Sequence, residues 1–164
     1  MKREILLAAA VIAGLANVAS GQEIVLGAGF ADYAHQDAVD SAVFSVEYNH
    51  SPFYERRYFA ARFAGALELS ETGDFFLGGG ISGKWDLQHS WFIEASVLPG
   101  LFVEGTPPNE LGSTFEIRSQ IALGKRFRNG KALSLALSHK SNASTAERNP
   151  GVNALTLRWH IPLN

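Results

Sequence analysis

The residues from Ala132 to Leu163, ALSLALSHKSNASTAERNPGVNALTLRWHIPL, decide the fold. They read with a period of two. Leu133, Leu135, Leu137, His139 and Ser141 share one face of a strand; Ala132, Ser134, Ala136, Ser138 and Lys140 share the other. After a loop the alternation resumes. Asn153, Leu155, Leu157, Trp159, Ile161 and Leu163 point one way, and Ala154, Thr156, Arg158 and His160 the other. The apolar faces therefore end in His139, Ser141 and Asn153, at one end of one hairpin. A base, a hydroxyl and an orienting amide at the tip of an apolar surface are the group types of an acyl-transfer site.

The same alternation recurs upstream. Ile24, Leu26, Ala28 and Phe30 alternate with Val25, Gly27, Gly29 and Ala31. Further runs centre on Phe44 and Val46, on Phe63 and Gly65, on Leu77 and Gly79, on Ile93 and Ala95, and on Ile117 and Ile121. With the last hairpin they make eight strands, each near the 9–11 residues, roughly, of a tilted membrane strand. The opposite faces carry Glu47, Glu68, Glu94 and Glu116 against Arg62, Lys84, Arg118, Arg126 and Arg158, interleaved with Gly, Ala and Ser. A water-facing sandwich surface would usually hold more Lys, Thr and Asp. Near-balanced charge among small residues suits a narrow lumen, where charges must pair. The expected fold is all-β: an eight-stranded antiparallel transmembrane β-barrel.

Bulk properties agree. The chain has 164 residues, 46% hydrophobic, with a formal net charge of -2 and no cysteine. Its mean hydropathy is close to zero. The length suits one domain, the charge gives no reason to expect a nucleic-acid partner, and no disulfide framework exists. Lys2 and Arg3 precede an apolar run from Ile5 to Val18, then Ala19-Ser20-Gly21. That order of basic, apolar and small residues predicts a signal peptide over 1–21 and a barrel domain over 22–164.

Turn chemistry sets the expected orientation, with both termini periplasmic. Asn129-Gly130 predicts a tight inner turn. Asp86–Gln88 predicts another, and Asn49–Arg56 reads as a longer inner segment. Long outer loops are expected at Asp32–Asp40, Gly100–Gly112 and Asn142–Gly151, with a short one at Glu71-Thr72-Gly73. Trp85, Trp91, Trp159 and Phe127 fall toward the inner end; Phe30, Phe75, Phe102 and Phe115 fall toward the outer. Two aromatic girdles are expected at the two interfaces. The chain closes on Pro162-Leu163-Asn164 rather than on an aromatic residue.

On the seventh strand, His139 and Ser141 lie near the outer leaflet and face lipid. Residues two apart share a strand face, so the imidazole can take the serine proton while the oxygen attacks an ester carbonyl. Asn153 can hold the imidazole. The Asn142 side chain and backbone N–H groups from Asn142 to Ser144 can receive a developing oxyanion. The bland reading is that polar residues mark where the strand leaves hydrocarbon. His-x-Ser is a short pattern and does not by itself decide between the two.

The residues Ser138-His139-Lys140-Ser141-Asn142-Ala143, followed by Asn149-Pro150-Gly151-Val152-Asn153, resemble the C-terminal signature of the outer-membrane lipid A 3-O-deacylases, the PagL family. The motif covers about the last two strands. Those enzymes are eight-stranded barrels that hydrolyse the ester of a 3-hydroxyacyl chain at position 3 of lipid A. The resemblance implies Ser141 as nucleophile, His139 as general base and then acid, and Asn142 with Ser144 at the oxyanion hole. It implies lipid A or lipopolysaccharide as substrate, the Gram-negative outer membrane as location, no cofactor and no metal. It leaves a homodimer open. Arg148, beside the site, can pair with a lipid phosphate or stand in solvent. Two positions depart from the family pattern. Asn153 stands where the family has Glu, and Ser144 where it tends to have Gly. Glu147 is an alternative acid, placed mid-loop. A non-catalytic surface barrel is the competing class, since it needs the strands but not the His–Ser–Asn face. An outer-membrane phospholipase would need a longer chain.

Overall fold

In the computed structural model, which describes residues 21–34 and 37–163, eight antiparallel strands close into one barrel. They are β1 (Gln22–Tyr33), β2 (Ser41–Arg56), β3 (Phe59–Ser70), β4 (Phe75–Asp86), β5 (Trp91–Val103), β6 (Phe115–Arg126), β7 (Ala132–Ser141) and β8 (Val152–Leu163). Each pairs with its sequence neighbour, and β1 pairs with β8. Closure leaves no sheet edge, which a strand in hydrocarbon requires. The segment 1–20, and with it the expected signal peptide, lies outside the described residues.

The alternation resolves into an apolar exterior and a charged interior. Leu26, Phe44, Phe63, Leu77, Val97, Ile121, Leu137 and Leu155, one from each strand, all project outward and are exposed. A continuous apolar belt of that kind is a lipid-facing wall. Inside, small residues make room. A Cβ on Gly124 would lie 2.3 Å from the Phe92 ring, and one on Gly78 would lie 2.5 Å from the Phe76 ring.

The interior charges form one chain of alternating sign. Arg62 contacts Glu23, which Lys84 shares with Glu94. Arg158 bridges Glu94 at 2.9 Å to Glu47 at 2.6 Å. Arg118 bridges Glu47 at 2.8 Å to Glu68 at 2.6 Å, and Lys140 ends the series on Glu68. Arg118 and Arg158 are 0% exposed. Glu116 is a further buried carboxyl at the outer end of the same lumen. Glu23, Lys140 and His160 thus join the charges that the alternation had placed inside. Arg126 does not: it lies at the inner rim, part-exposed, paired with Asp86 at 2.7 Å. The lumen ends one turn of the pleat before that residue, so its head reaches water.

Other differences have local causes. Asn49–Arg56 is not an inner loop but the continuation of β2, kept in register through irregularities at Pro52 and Tyr54. The β6–β7 turn runs over five residues, with Gly130 N–H on the Phe127 carbonyl and Gly130 at φ +81°. Gly supplies the left-handed conformation after the turn, so Asn129-Gly130 is not a two-residue hairpin. Trp85, Trp91 and Phe127 are exposed at the inner end; Phe59 stacks on Trp85 at 4.6 Å and Phe127 on Trp159 at 5.7 Å. At the outer end Phe30 and Phe115 project outward, but Phe102 is buried. β5 continues to Val103, and its phase turns Leu101 and Val103 to lipid and Phe102 inward.

Asp74 gathers the outer loops. Its carboxylate accepts hydrogen bonds from Tyr33 (2.6 Å), Thr72 (2.7 Å), Asn109 (2.7 Å) and the Gly105 N–H (2.7 Å). Asn109 in turn holds Val39 through the Val39 N–H at 2.8 Å. Three loops are thereby tied over the barrel mouth. Burial disfavours the Asp74 charge, but the hydrogen bonds from Tyr33, Asn109, Gly105 and Thr72 outweigh it and hold the carboxyl below its ordinary range.

Breaking the interior chain should be costly, because removing one partner strands another buried charge. Arg158→Ala is expected to lower stability by about 3–5 kcal/mol, read as a shift of the urea midpoint in detergent. Asp74 makes a pH-dependent contribution of known sign. Its folded pKa is lowered, so its stabilisation is complete above the unfolded value of roughly 3.9 and is lost as pH falls through the folded value. Outer-loop protection from protease should fall below about pH 4, and Asp74→Asn should lack that step.

Candidate active site on the outer wall

β7 and β8 place the residues singled out in the sequence. His139 is the register partner of Asn153, and both face outward. His139 Nδ1 lies 2.9 Å from Asn153 Oδ1. An amide oxygen can only accept, so Nδ1 carries the proton and donates, and Nε2 keeps its lone pair. Gly151, at φ +70°, packs against the ring; a Cβ there would stand 2.9 Å from His139 Cε1. Only a residue without a Cβ leaves the imidazole in this place. Ser141 shares the outer face two residues on, half-buried, opposite Ile117. Its hydroxyl makes no hydrogen bond among the described residues.

Asn142 departs from its expected place. It is 0% exposed, and its Nδ2 donates to the carbonyls of Arg148 (2.7 Å) and Leu111 (3.2 Å). The side chain is turned inward and spent on joining the β5–β6 and β7–β8 loops. Its own N–H donates to Asn149 Oδ1 at 3.0 Å. The structure therefore does not bring the Asn142 amide to Ser141. What Asn142 does is build the next turn: its carbonyl accepts from the Thr145 N–H (3.1 Å) and hydroxyl (2.7 Å). Between them Ala143 and Ser144 both adopt left-handed backbone, φ +53° and +61°. Neither of their N–H groups has a partner among the described residues. Unpaired backbone amides next to Ser141 are available to donate to an anionic oxygen. A Gly would adopt φ +61° without the strain a serine carries there.

Arg148 is exposed at the rim and paired with Glu110 at 3.2 Å. Glu147 is exposed in the loop and makes no hydrogen bond or ion pair with His139 among the described residues. Toward the membrane centre the wall continues as a groove lined by Ile93, Ile121, Leu123, Leu135, Leu137 and Leu155. His139 and Asn153 sit two residues above Leu137 and Leu155, so the polar site stands directly over the apolar groove.

Two outward polar residues were not singled out from the sequence. Ser119 is the register partner of His139, and Asp32 that of Asn153. The sequence reading puts Asp32 at the start of an outer loop, yet β1 runs on to Tyr33. Extending the period-two reading by two residues would have put it on the wall. Its neighbour across β8 required the register itself. Inside the lumen, Glu23, Glu94 and His160 converge as metal-ligand types do. The Lys84 ammonium contacts both carboxylates and already fills the role of cation there.

In overall shape the chain is similar to the crystal structure of the outer membrane enzyme PagL, with a TM-score of 0.66 and 18% identity, covering 86% of this chain and 99% of that one. It is also similar to Neisserial surface protein A (0.57, 10% identity, 87% and 96%) and to a de novo designed transmembrane β-barrel (0.58, 8% identity, 87% and 94%). At such identities the likeness establishes the fold, and a designed barrel shares it, so shape alone carries no chemistry. In sequence, 74 residues are 32% identical to the lipid A deacylase PagL of Pseudomonas aeruginosa, over 44% of this chain and 42% of that protein. The match thus spans less than half the length of that relative. The family model for lipid A 3-O-deacylase (PagL) matches residues 27–162, nearly the whole barrel and all of the His139–Asn153 hairpin, and the chain belongs to that family.

Proposed function

We propose that this barrel is a serine esterase of the outer membrane that removes the ester-linked 3-hydroxyacyl chain from position 3 of lipid A. The observation that carries the reading is the His139–Asn153 hydrogen bond on the lipid-facing wall, with Ser141 on the same face and an apolar groove below. The ester of an outer-leaflet lipid lies at the boundary between headgroup and hydrocarbon. A site at that depth on the exterior meets the bond without extracting the lipid.

The chemistry follows from the positions. Ser141 Oγ attacks the ester carbonyl carbon while His139 Nε2 takes its proton. The carbonyl oxygen gains negative charge, and the unpaired Ala143 and Ser144 N–H groups beside Ser141 are the donors we assign to it. The tetrahedral intermediate collapses, the sugar oxygen leaves, and His139 returns the proton to it. Water then attacks the acyl–Ser141 ester with His139 again as base, releasing a 3-hydroxy fatty acid. Asn153 keeps Nδ1 protonated throughout and so keeps Nε2 basic. Asn142 serves by fixing the turn. Arg148 exchanges Glu110 for a lipid phosphate when substrate arrives. His139, Ser141 and Asn153 come from one chain, so the reading requires no second copy.

The test is the lipid A of a Gram-negative host expressing the protein, read by mass spectrometry. Wild type should remove one hydroxyacyl chain. Ser141→Ala should abolish that loss while the barrel remains folded, and Ser119→Ala should leave it intact. Intact lipid A with well-folded wild type would mean a non-catalytic surface barrel; released lysophospholipid would mean a phospholipase. Asn153→Ala should cut the rate by about 10²-fold or more, the usual scale for losing a properly poised general base, and Asn153→Glu should retain or raise it. Wild-type rates in Asn153→Ala would remove that residue from the mechanism.

A further inference from the structure

Asn153 orients the imidazole but carries no charge. When His139 takes the serine proton it becomes a cation on a wall otherwise made of hydrocarbon. Water is scarce at that depth, so an uncompensated charge is expensive and a nearby carboxylate counts for more than it would in solution. The register supplies one. Across four neighbouring strands the outward residues in one row are Asp32 on β1, Asn153 on β8, His139 on β7 and Ser119 on β6. All four are exposed.

The row has a direction. Directly opposed residues on one face hold their Cβ atoms about 4.5–5.5 Å apart. Asn153 Oδ1 is turned toward β7 and engaged by His139. Its Nδ2 group has no partner among the described residues, and β8 pairs with β1 on the side away from β7. Asp32 is the residue across from it on that side. The other carboxyls nearby are directed elsewhere: Glu110 pairs with Arg148, and Glu116 is buried in the lumen.

We propose that Asp32 is a positioning residue for the deacylation reaction, accepting a hydrogen bond from Asn153 Nδ2. The amide becomes a bridge between an anion and the imidazole: Nδ2–H donates to Asp32, and Oδ1 accepts from His139 Nδ1–H. No proton crosses the bridge. The carboxylate polarises the amide, which strengthens the bond to Nδ1–H and stabilises the imidazolium as it forms. Asp32 and Asn153 together then supply the charge and the orientation that a single carboxylate at position 153 would supply alone. The inference rests on the deacylase reading of this same site.

The experiment uses the purified barrel in detergent with lipid A as substrate. Asp32→Asn should lower kcat about tenfold with KM unchanged, a loss of about 1.4 kcal/mol in transition-state stabilisation. Asp32→Glu should recover most of it. In an Asn153→Glu background the same Asp32→Asn change should have no effect on kcat, because the charge is already present. A second readout needs no turnover: the hydrogen-bonded Nδ1 proton of His139 should resonate far downfield in wild type and move upfield in Asp32→Asn. Wild-type kcat in Asp32→Asn overturns the proposal, as does an equal loss in both backgrounds. A wild type inert toward lipid A would instead remove the deacylase reading, and the resonance would then decide the Asp32–Asn153–His139 coupling by itself.

Discussion

A run of buried ion pairs, alternating in sign from Arg62 through Glu23, Lys84, Glu94, Arg158, Glu47, Arg118 and Glu68 to Lys140, is the constraint on which the rest of this barrel depends. An eight-stranded barrel encloses just enough space for side chains. Charges placed there have no bulk water and must satisfy one another. They come from every strand, so the set closes only when all eight strands keep their register. Slipping any strand by one residue would turn its charge toward lipid and its leucines inward. The same parity fixes the outer wall. His139 faces lipid because Ser138 and Lys140, one residue away on either side, face the lumen.

That division separates stability from chemistry. The lumen is dense and polar and admits few changes. The exterior needs only to be apolar at membrane depth, and a few outward positions at the outer end can vary without disturbing any buried pair. The residues around Ser141 use this freedom. Strain appears there as well: Ala143 and Ser144 hold left-handed backbone next to Asn142, whose Nδ2 is committed to the loops. Two consecutive left-handed residues are costly to keep, and the bonds of Asn142 to Leu111, Arg148 and Thr145 hold the turn that contains them. The Asp74 cluster extends the same support across the mouth of the barrel.

Most of the architecture was legible because period two is a local property. Leu133, Leu135 and Leu137 announce a face whatever they pair with. Lys84, Arg118 and Arg158 could be placed inside from parity alone. What parity cannot give is where a strand stops. Parity misplaces Phe102 and Asp32, because β5 and β1 run further than their composition suggests, past Pro99-Gly100 and into Asp32-Tyr33. Arg126 was counted inside because parity says nothing about depth. Asn142 was read as a free amide because its partners, Leu111 and Arg148, depend on how two loops meet. The His139–Asn153 contact was legible for the opposite reason. One hairpin brings the two together, and the apolar residues on each strand set the phase.

On the proposed reading, an uncharged residue at position 153 has a physical rationale on this wall. A carboxylate at position 153 would have to be kept ionised at the edge of hydrocarbon, with His139 as its only close partner. An amide avoids that cost in the resting state, since it is neutral and its oxygen is satisfied by Nδ1–H. The charge is needed only while the imidazolium exists. On the proposed reading the anion stands one strand further away, at Asp32 on β1 one residue before that strand ends, across from Asn153. Electrostatics of this kind weakens with distance but does not vanish across a single polar bridge in a medium of low dielectric. On that reading the arrangement trades some stabilisation of the transition state for an orienting residue that is neutral at rest.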